Sequence, residues 1–186
     1  MDKIWENLKI DFIHYLKGDS TVVSSLFGQV EKKLESFFYS KVNNPQDLKE
    51  IVQSSLLKIH LSRSQFDVNL DLKPWIFTIA YRTLIDHYRK YSRNEGRVDL
   101  AHEDIDSVMD NSDKISSEDY VSIKTFIKKN VNTLKPLDQS IVYLVVVEGF
   151  TMNEISKILY MSENSIKIRY HRAIKSLRKL SQAEVV

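Results

Sequence analysis

The sequence predicts an all-α protein, two small helical domains joined by an acidic flexible linker. Three observations lead there. The 186 residues include only 4 glycines and 3 prolines, too few to punctuate the many short strands of a sandwich or barrel. Apolar residues recur at spacings of three and four along most of the chain, the pattern of amphipathic helices. Charge is partitioned: residues 1–95 carry 14 basic and 12 acidic side chains, residues 96–120 carry 2 and 8, and residues 121–186 carry 11 and 5. A near-neutral domain, an acidic connector and a basic domain follow from that partition. Their boundaries are expected at 1–93, 94–118 and 119–186.

The elements can be justified in order. Ile4, Leu8, Phe12, Tyr15 and Leu16 share one helical face, and Gly18 marks its end. Val22, Val23, Leu26, Phe27, Val30, Leu34, Phe37 and Phe38 make a second helix over 21–41. Asn44 and Pro45 suit the cap and first turn of a third. Its apolar face is Leu48, Ile51, Val52, Leu56 and Ile59, and it should end near His60. Residues 61–72 are polar and read as a loop, and Pro74 opens a strong helix to about residue 92. Residues 93–118 are too acidic to bury enough surface to offset their ordering entropy. A passive tether and a functional strand both fit them. Tyr120, Ile123, Phe126, Ile127 and Val131 resume helical spacing over 120–132. The seven apolar residues 141–147 could be a buried strand or a buried helix by periodicity alone. Pro136 at a helix start, and Glu148 and Gly149 at a helix end, favour helix.

Composition excludes several classes. There is no cysteine, so disulfides and thiolate metal sites are ruled out. No signal-peptide core opens the chain and no apolar run approaches a membrane span, so a cytoplasmic protein without membrane insertion is expected. His14, His60, His87, His102 and His171 show no ligand spacing. Asp86 and His87 are adjacent and so point to different helix faces. No catalytic residue, metal or cofactor is expected.

Two stretches carry chemistry. Thr151 and Glu154 form a capping box ahead of one short helix, and Ser162 caps a longer basic one. Only residues 160–162 separate them, and so short a turn forces the steep crossing of a helix-turn-helix. Ile155, Ile158 and Leu159 are expected inside, with Ile166, Tyr170, Ala173, Ile174 and Leu177 of the second helix. The face left over is Asn164, Ser165, Lys167, Ile168, Arg169, His171, Arg172 and Lys175. Its first residues could reach base edges in a major groove and its later cations phosphates. An ordinary hairpin with a solvated basic face is the alternative. In the helix from Pro74, one stripe is apolar (Ile76, Ile79, Ala80, Thr83, Leu84). Another interleaves Trp75, Thr78, Arg82, Asp86, Arg89 and Arg93, with Tyr81 and Tyr88 near it. Rings for stacking and cations for phosphates suit single-stranded DNA, although the same rings could be core.

These residues carry a resemblance. Trp75, Ile76, Phe77, Thr78, Ile79 and Ala80, then Thr83, Leu84, Ile85, Asp86, His87 and Arg89, resemble the region 2 helix of extracytoplasmic-function (ECF) sigma factors. Those are the smallest group of the sigma-70 family of bacterial RNA polymerase specificity subunits. Leu134, Lys135, Pro136, Glu148, Gly149, Glu154 and Ile155 are similar to that family's region 4, as are Ser165, Ile166, Lys167, Ile168, Arg169, His171, Arg172, Ala173, Leu177 and Arg178. The likeness spans about 26–180.

The resemblance implies an alternative sigma factor that binds bacterial core RNA polymerase and promotes promoter melting. Region 4 would read the −35 element as duplex DNA and region 2 would hold the −10 element as single-stranded DNA. It places a −10 pocket between loop residues Ser62, Ser64, Asn69 and Asp71 and helix residues Trp75, Arg82 and His87, with Thr78 and Arg89 on the same helix. Polymerase binding falls to Glu50, Ile51 and Gln53. An anti-sigma factor is left open as a further partner.

Three departures stand out. The family's clamp-binding motif reads acid-Leu-Val-Gln-Glu, and here it is Glu50, Ile51, Val52, Gln53 and Ser54. Arg82 replaces an asparagine common in the −10 helix, and Tyr160 replaces the turn glycine of the helix-turn-helix. Two rival readings remain: a dimeric LuxR-type regulator, for which the helix from Pro74 has no use, and a protein-binding helical adaptor, against which the basic face of residues 163–180 argues.

Overall fold

The structure, a computed structural model, describes residues 3–42, 44–95 and 130–183. The chain divides into two compact units, Met1–Asp99 and Leu100–Val186. The expected linker over 94–118 lies outside the described residues, apart from its first two, and so does most of the helix expected over 120–132. All regular structure among the described residues is helical.

The first unit holds α1 (Lys3–Leu16), α2 (Val23–Phe38), α3 (Pro45–Leu61) and α4 (Leu72–Glu95). Gly18 ends α1 at φ 91°, a conformation open to glycine without strain. The Asn44 side chain accepts from the Gln46 amide, and Pro45 follows at the first position of α3, as the sequence suggests. Helix α2 begins at Val23 instead of 21, and two further boundaries differ from expectation. Helix α2 stops at Phe38 instead of 41, because Lys41 and Val42 turn back to donate to the Phe38 carbonyl at 2.8 and 3.1 Å. Helix α4 begins at Leu72 instead of Pro74. The first turn of a helix has no intrahelical use for its amides, so proline is tolerated there and does not define the first residue. Leu72, 1% exposed, anchors that extra turn in the core.

Aromatic packing holds the unit together. Phe77 of α4 is fully buried, with its ring 5.8 Å from Trp5 of α1 and 5.5 Å from Phe37 of α2. Burial of one such ring contributes roughly 1.5–3 kcal/mol.

The second unit holds α5 (Pro136–Val146), α6 (Met152–Leu159) and α7 (Glu163–Ala183). The ambiguous run 141–147 is helical to Val146, with Val147 as the cap. Ile141, Val142 and Leu144 are fully buried, which explains why its apolar residues show no period. Gly149 then takes φ 70° just beyond the helix end. Val131, Val142, Val146, Ala173 and Leu177 form a core between α5 and α7.

Candidate nucleic-acid interface

The helix-turn-helix is assembled by its caps. Thr151 Oγ1 accepts from the Glu154 amide at 3.3 Å, and Glu154 Oε2 accepts from the Thr151 amide at 2.8 Å. Ser162 Oγ accepts from the Ser165 amide at 3.2 Å. Ile155, Ile158, Leu159 and Ile166 are all buried. The three-residue turn requires a left-handed residue, and Tyr160 supplies it at φ 56°, ψ 44°. That conformation costs a non-glycine residue about 1–2 kcal/mol.

Six of the eight residues expected to read duplex DNA lie outward on α7. Asn164, Lys167, His171, Arg172 and Lys175 are exposed, and Ile168 is half-buried among them. Ser165 is half-buried, with its hydroxyl 2.8 Å from that of Ser162. Lys167 pairs with Glu163 at 2.9 Å, one turn back. That ammonium, helped by an Asn153 donor, holds the Glu163 carboxyl below its ordinary range.

Arg169 is the correction. It is 8% exposed and bonds Asp138 of α5 at 3.3 Å. Around the helix it lies about 60° past Arg172 and about 130° from the centre of the outward face, since each residue turns the helix by about 100°. Charge alone placed it with the DNA-reading residues, whereas helix geometry turns it inward to tie α7 to the first turn of α5.

The first unit separates residues that the sequence grouped together. Phe66 of the loop and Trp75 of α4 pack with tilted rings at 5.3 Å, and both meet Phe12 of α1 edge-on, at 5.4 and 5.5 Å. Trp75 therefore pins the loop to the core, with only part of its ring outside. The Asn69 amide and side chain both donate to Asp67 Oδ1 at 2.9 Å, a turn within the loop. Ser64, Asn69 and Asp71 are exposed and Ser62 is half-buried. Ser64 also lines a cleft of about 450 Å³ with Leu16, Arg63 and Phe66, on the α1 side of the loop. Thr78, Arg82 and Arg89 follow Trp75 along one outer stripe of α4. Arg82 and Arg89 are exposed, while Thr78 donates its hydroxyl to the Pro74 carbonyl at 2.8 Å.

His87 does not belong to this group. It is turned about 120° around the helix from Trp75, and faces Asp47 and Glu50 of α3. Burial lowers its pKa, against the opposing pull of those two carboxylates.

The residues expected to bind polymerase lie along α3. Glu50 is exposed and pairs with Lys90 of α4 at 3.0 Å; Gln53 is exposed and donates to Glu31 of α2 at 3.0 Å. Ile51 is 2% exposed and supports the ridge from beneath, so it is not a contact residue. The sequence pattern missed Leu57 and Leu61, which are 57% and 65% exposed. Both fall on the ridge of Glu50 and Gln53 at helical spacing, and a helical-wheel projection finds them.

Two family models match the chain: Sigma-70 region 2 over residues 26–94 and Sigma-70, region 4 over residues 129–177. The ECF RNA polymerase sigma factor SigF of Caulobacter vibrioides (strain NA1000 / CB15N) is 27% identical over 172 residues, 91% of each chain. The ECF RNA polymerase sigma factor SigW of Bacillus subtilis (strain 168) is 22% identical over 173 residues, 88% of this chain and 90% of its own. A solved structure, the sigma factor RpoE in complex with the anti-sigma factor NepR from Bartonella quintana, shares the fold. Its TM-score is 0.63 at 23% identity, over 86% of this chain and 96% of that one. With both sigma regions matched in order and full-length relatives of one kind, the chain belongs to the extracytoplasmic-function sigma factors of the sigma-70 family.

Proposed function

We propose that this sigma factor docks on core RNA polymerase through the exposed ridge of α3, reads a −35 element with the outer face of α7, and holds unpaired −10 bases on loop residues 62–71 and the outer stripe of α4. Residues 1–93 and 119–186 are the working domains, and the acidic stretch 94–118 connects them. The observation that carries this reading is the capped helix-turn-helix, which exposes Lys167, His171, Arg172 and Lys175 on one face. No helix among the described residues is long and apolar enough to cross a membrane, and the proposed place of work is the cytoplasm, with the polymerase. An anti-sigma factor is a further candidate partner, as NepR is for RpoE of Bartonella quintana. The chain itself contributes specificity and melting rather than catalysis.

The direct test is reconstitution with core polymerase followed by run-off transcription of genomic fragments. Defined start sites sharing −35 and −10 sequences are expected. Transcripts no more selective than those of core alone would refute the reading.

Two variants probe the polymerase and −10 assignments. Replacing Glu50 and Gln53 together by alanine is expected to lower affinity for core without lowering the melting temperature. Their exposed pairs with Lys90 and Glu31 contribute little to folding, about 0–1 kcal/mol. A competition assay for core that shows no change counts against the α3 ridge. For melting, each captured base must offset unstacking of a few kcal/mol with stacking worth roughly 1–3 kcal/mol. Arg82→Ala is expected to reduce permanganate reactivity of unpaired −10 thymines more than it reduces closed-complex binding, and a premelted −10 bubble should rescue it. If both measures change by less than about twofold, under 0.5 kcal/mol, Arg82 is only a surface charge.

A further inference from the structure

We propose that Tyr160 is a DNA contact, its phenol hydroxyl donating to a backbone phosphate beside the −35 element and so setting how α7 enters the groove. The proposal rests on the reading of α7 as the −35 helix. Three residues with positive φ occur among the described residues, and two are Gly18 and Gly149. The third is Tyr160, in the turn of the helix-turn-helix. Where a left-handed residue has no further task, this chain uses glycine, which adopts that conformation freely. A large side chain kept in a strained conformation points to a use for that side chain.

Burial is not that use. Tyr160 is 59% exposed, whereas Ile155, Ile158, Leu159 and Ile166 beside it in sequence form the interior of the motif. Its position gives the alternative. It stands two residues before the Ser162 cap, and the first turns of α7 present Asn164 and Lys167. In a docked helix-turn-helix the N-terminal residues of the second helix face the bases, and the DNA backbone runs beside the chain that leads into it. Tyrosine is among the side chains that contact phosphate, and such contacts set orientation without reading sequence.

The test uses holoenzyme reconstituted with core polymerase and a duplex carrying the −35 element, with Tyr160→Gly, Tyr160→Phe and a Lys167→Ala/Arg172→Ala control. Tyr160→Gly is expected to raise the melting temperature of the free chain yet weaken duplex binding about fivefold, the size of one neutral hydrogen bond. Tyr160→Phe should weaken binding as much, since it removes the hydroxyl and keeps the ring. Both losses should be the same on duplexes with altered −35 bases. The salt dependence should be unchanged, because a neutral hydroxyl releases no counterion.

Full binding by Tyr160→Gly beside a weakened control overturns the proposal and leaves the reading of α7 standing. Full binding by Tyr160→Phe alone removes the hydroxyl contact and with it the proposal. A loss of affinity for core in place of duplex places Tyr160 against polymerase and also overturns it. An unaffected control overturns the reading of α7 and the proposal together.

Discussion

Arg169→Ala is expected to destabilise the C-terminal unit rather than relax a −35 base preference. Arg169 and Asp138 have side chains only 9% and 19% exposed, and their 3.3 Å bond joins α7 to the first turn of α5. Removing the arginine leaves the Asp138 carboxylate under cover with no cation. Breaking a buried pair from one side costs about 3–5 kcal/mol, and the residual exposure of Asp138 puts the expected loss near the lower end. The pair itself is not optimal, since Arg169 Nε and the neighbouring Gln139 Oε1 find no protein partner. Arg169→Met combined with Asp138→Leu should therefore come within about 1 kcal/mol of the parent, because an apolar pair of similar volume often replaces a buried ion pair without loss. Hydrogen exchange of the α5 and α7 amides in the full chain measures both. An alanine variant that protects those amides as the parent does, while losing discrimination at one −35 position, would return Arg169 to the DNA-reading residues.

Lys41→Met is expected to do the reverse and stabilise the first unit by about 2 kcal/mol at neutral pH, within the range for exchanging a buried charge for an apolar side chain. Lys41 is 6% exposed. Its ammonium donates to the Phe37 carbonyl and lies 4.2 Å from the centre of the Phe37 ring. This places a cation at the C-terminal end of α2, where the helix dipole favours it. Tyr88 of α4 donates to the Lys41 carbonyl at 2.7 Å and holds the segment in place. Burial nevertheless dominates, lowering the Lys41 pKa from 10.5 to about 7. Between those two values the unfolded chain keeps a proton that the folded chain has released, so stability rises with pH across the window. Below the lower value both states are protonated, and the cost is full and constant. The methionine variant lacks this rise. Urea melts of both proteins from neutral to alkaline pH should converge as pH increases, and a constant difference between them would rule out the buried ammonium as its source.

The two side chains also show how far the sequence could be read. Arg169 belonged to the outward face by charge, and Lys41 fell at the end of a helix expected to run to 41. Neither charge pattern nor periodicity reveals a buried cation, because both assume that charged residues face water. The aromatic stripe of α4 behaved similarly: Trp75 packs against Phe12 and Phe66, while Tyr81 is 8% exposed. Those rings could serve core or DNA until the loop and α1 were placed beside them. His87 and Trp75 shared a proposed pocket on paper, but the turn of the helix puts them on different faces.

The local signals were legible because they act within a few residues. The Asn44 cap and the capping box of Thr151 and Glu154 appear where their residue types require, and the short turn sets the left-handed residue at Tyr160 against its residue type. The helical state of residues 141–146 is decided by the flanking Pro136 and Gly149. The sequence by itself determined the all-α class, the helix-turn-helix and its outward cations, since caps, turn length and apolar spacing are short-range. The tertiary structure alone decided which charges are withdrawn from water, which rings are core, and that Leu57 and Leu61 extend the ridge of Glu50 and Gln53. Those outcomes depend on which helix covers which face, a contact between residues far apart in the chain that no local pattern encodes.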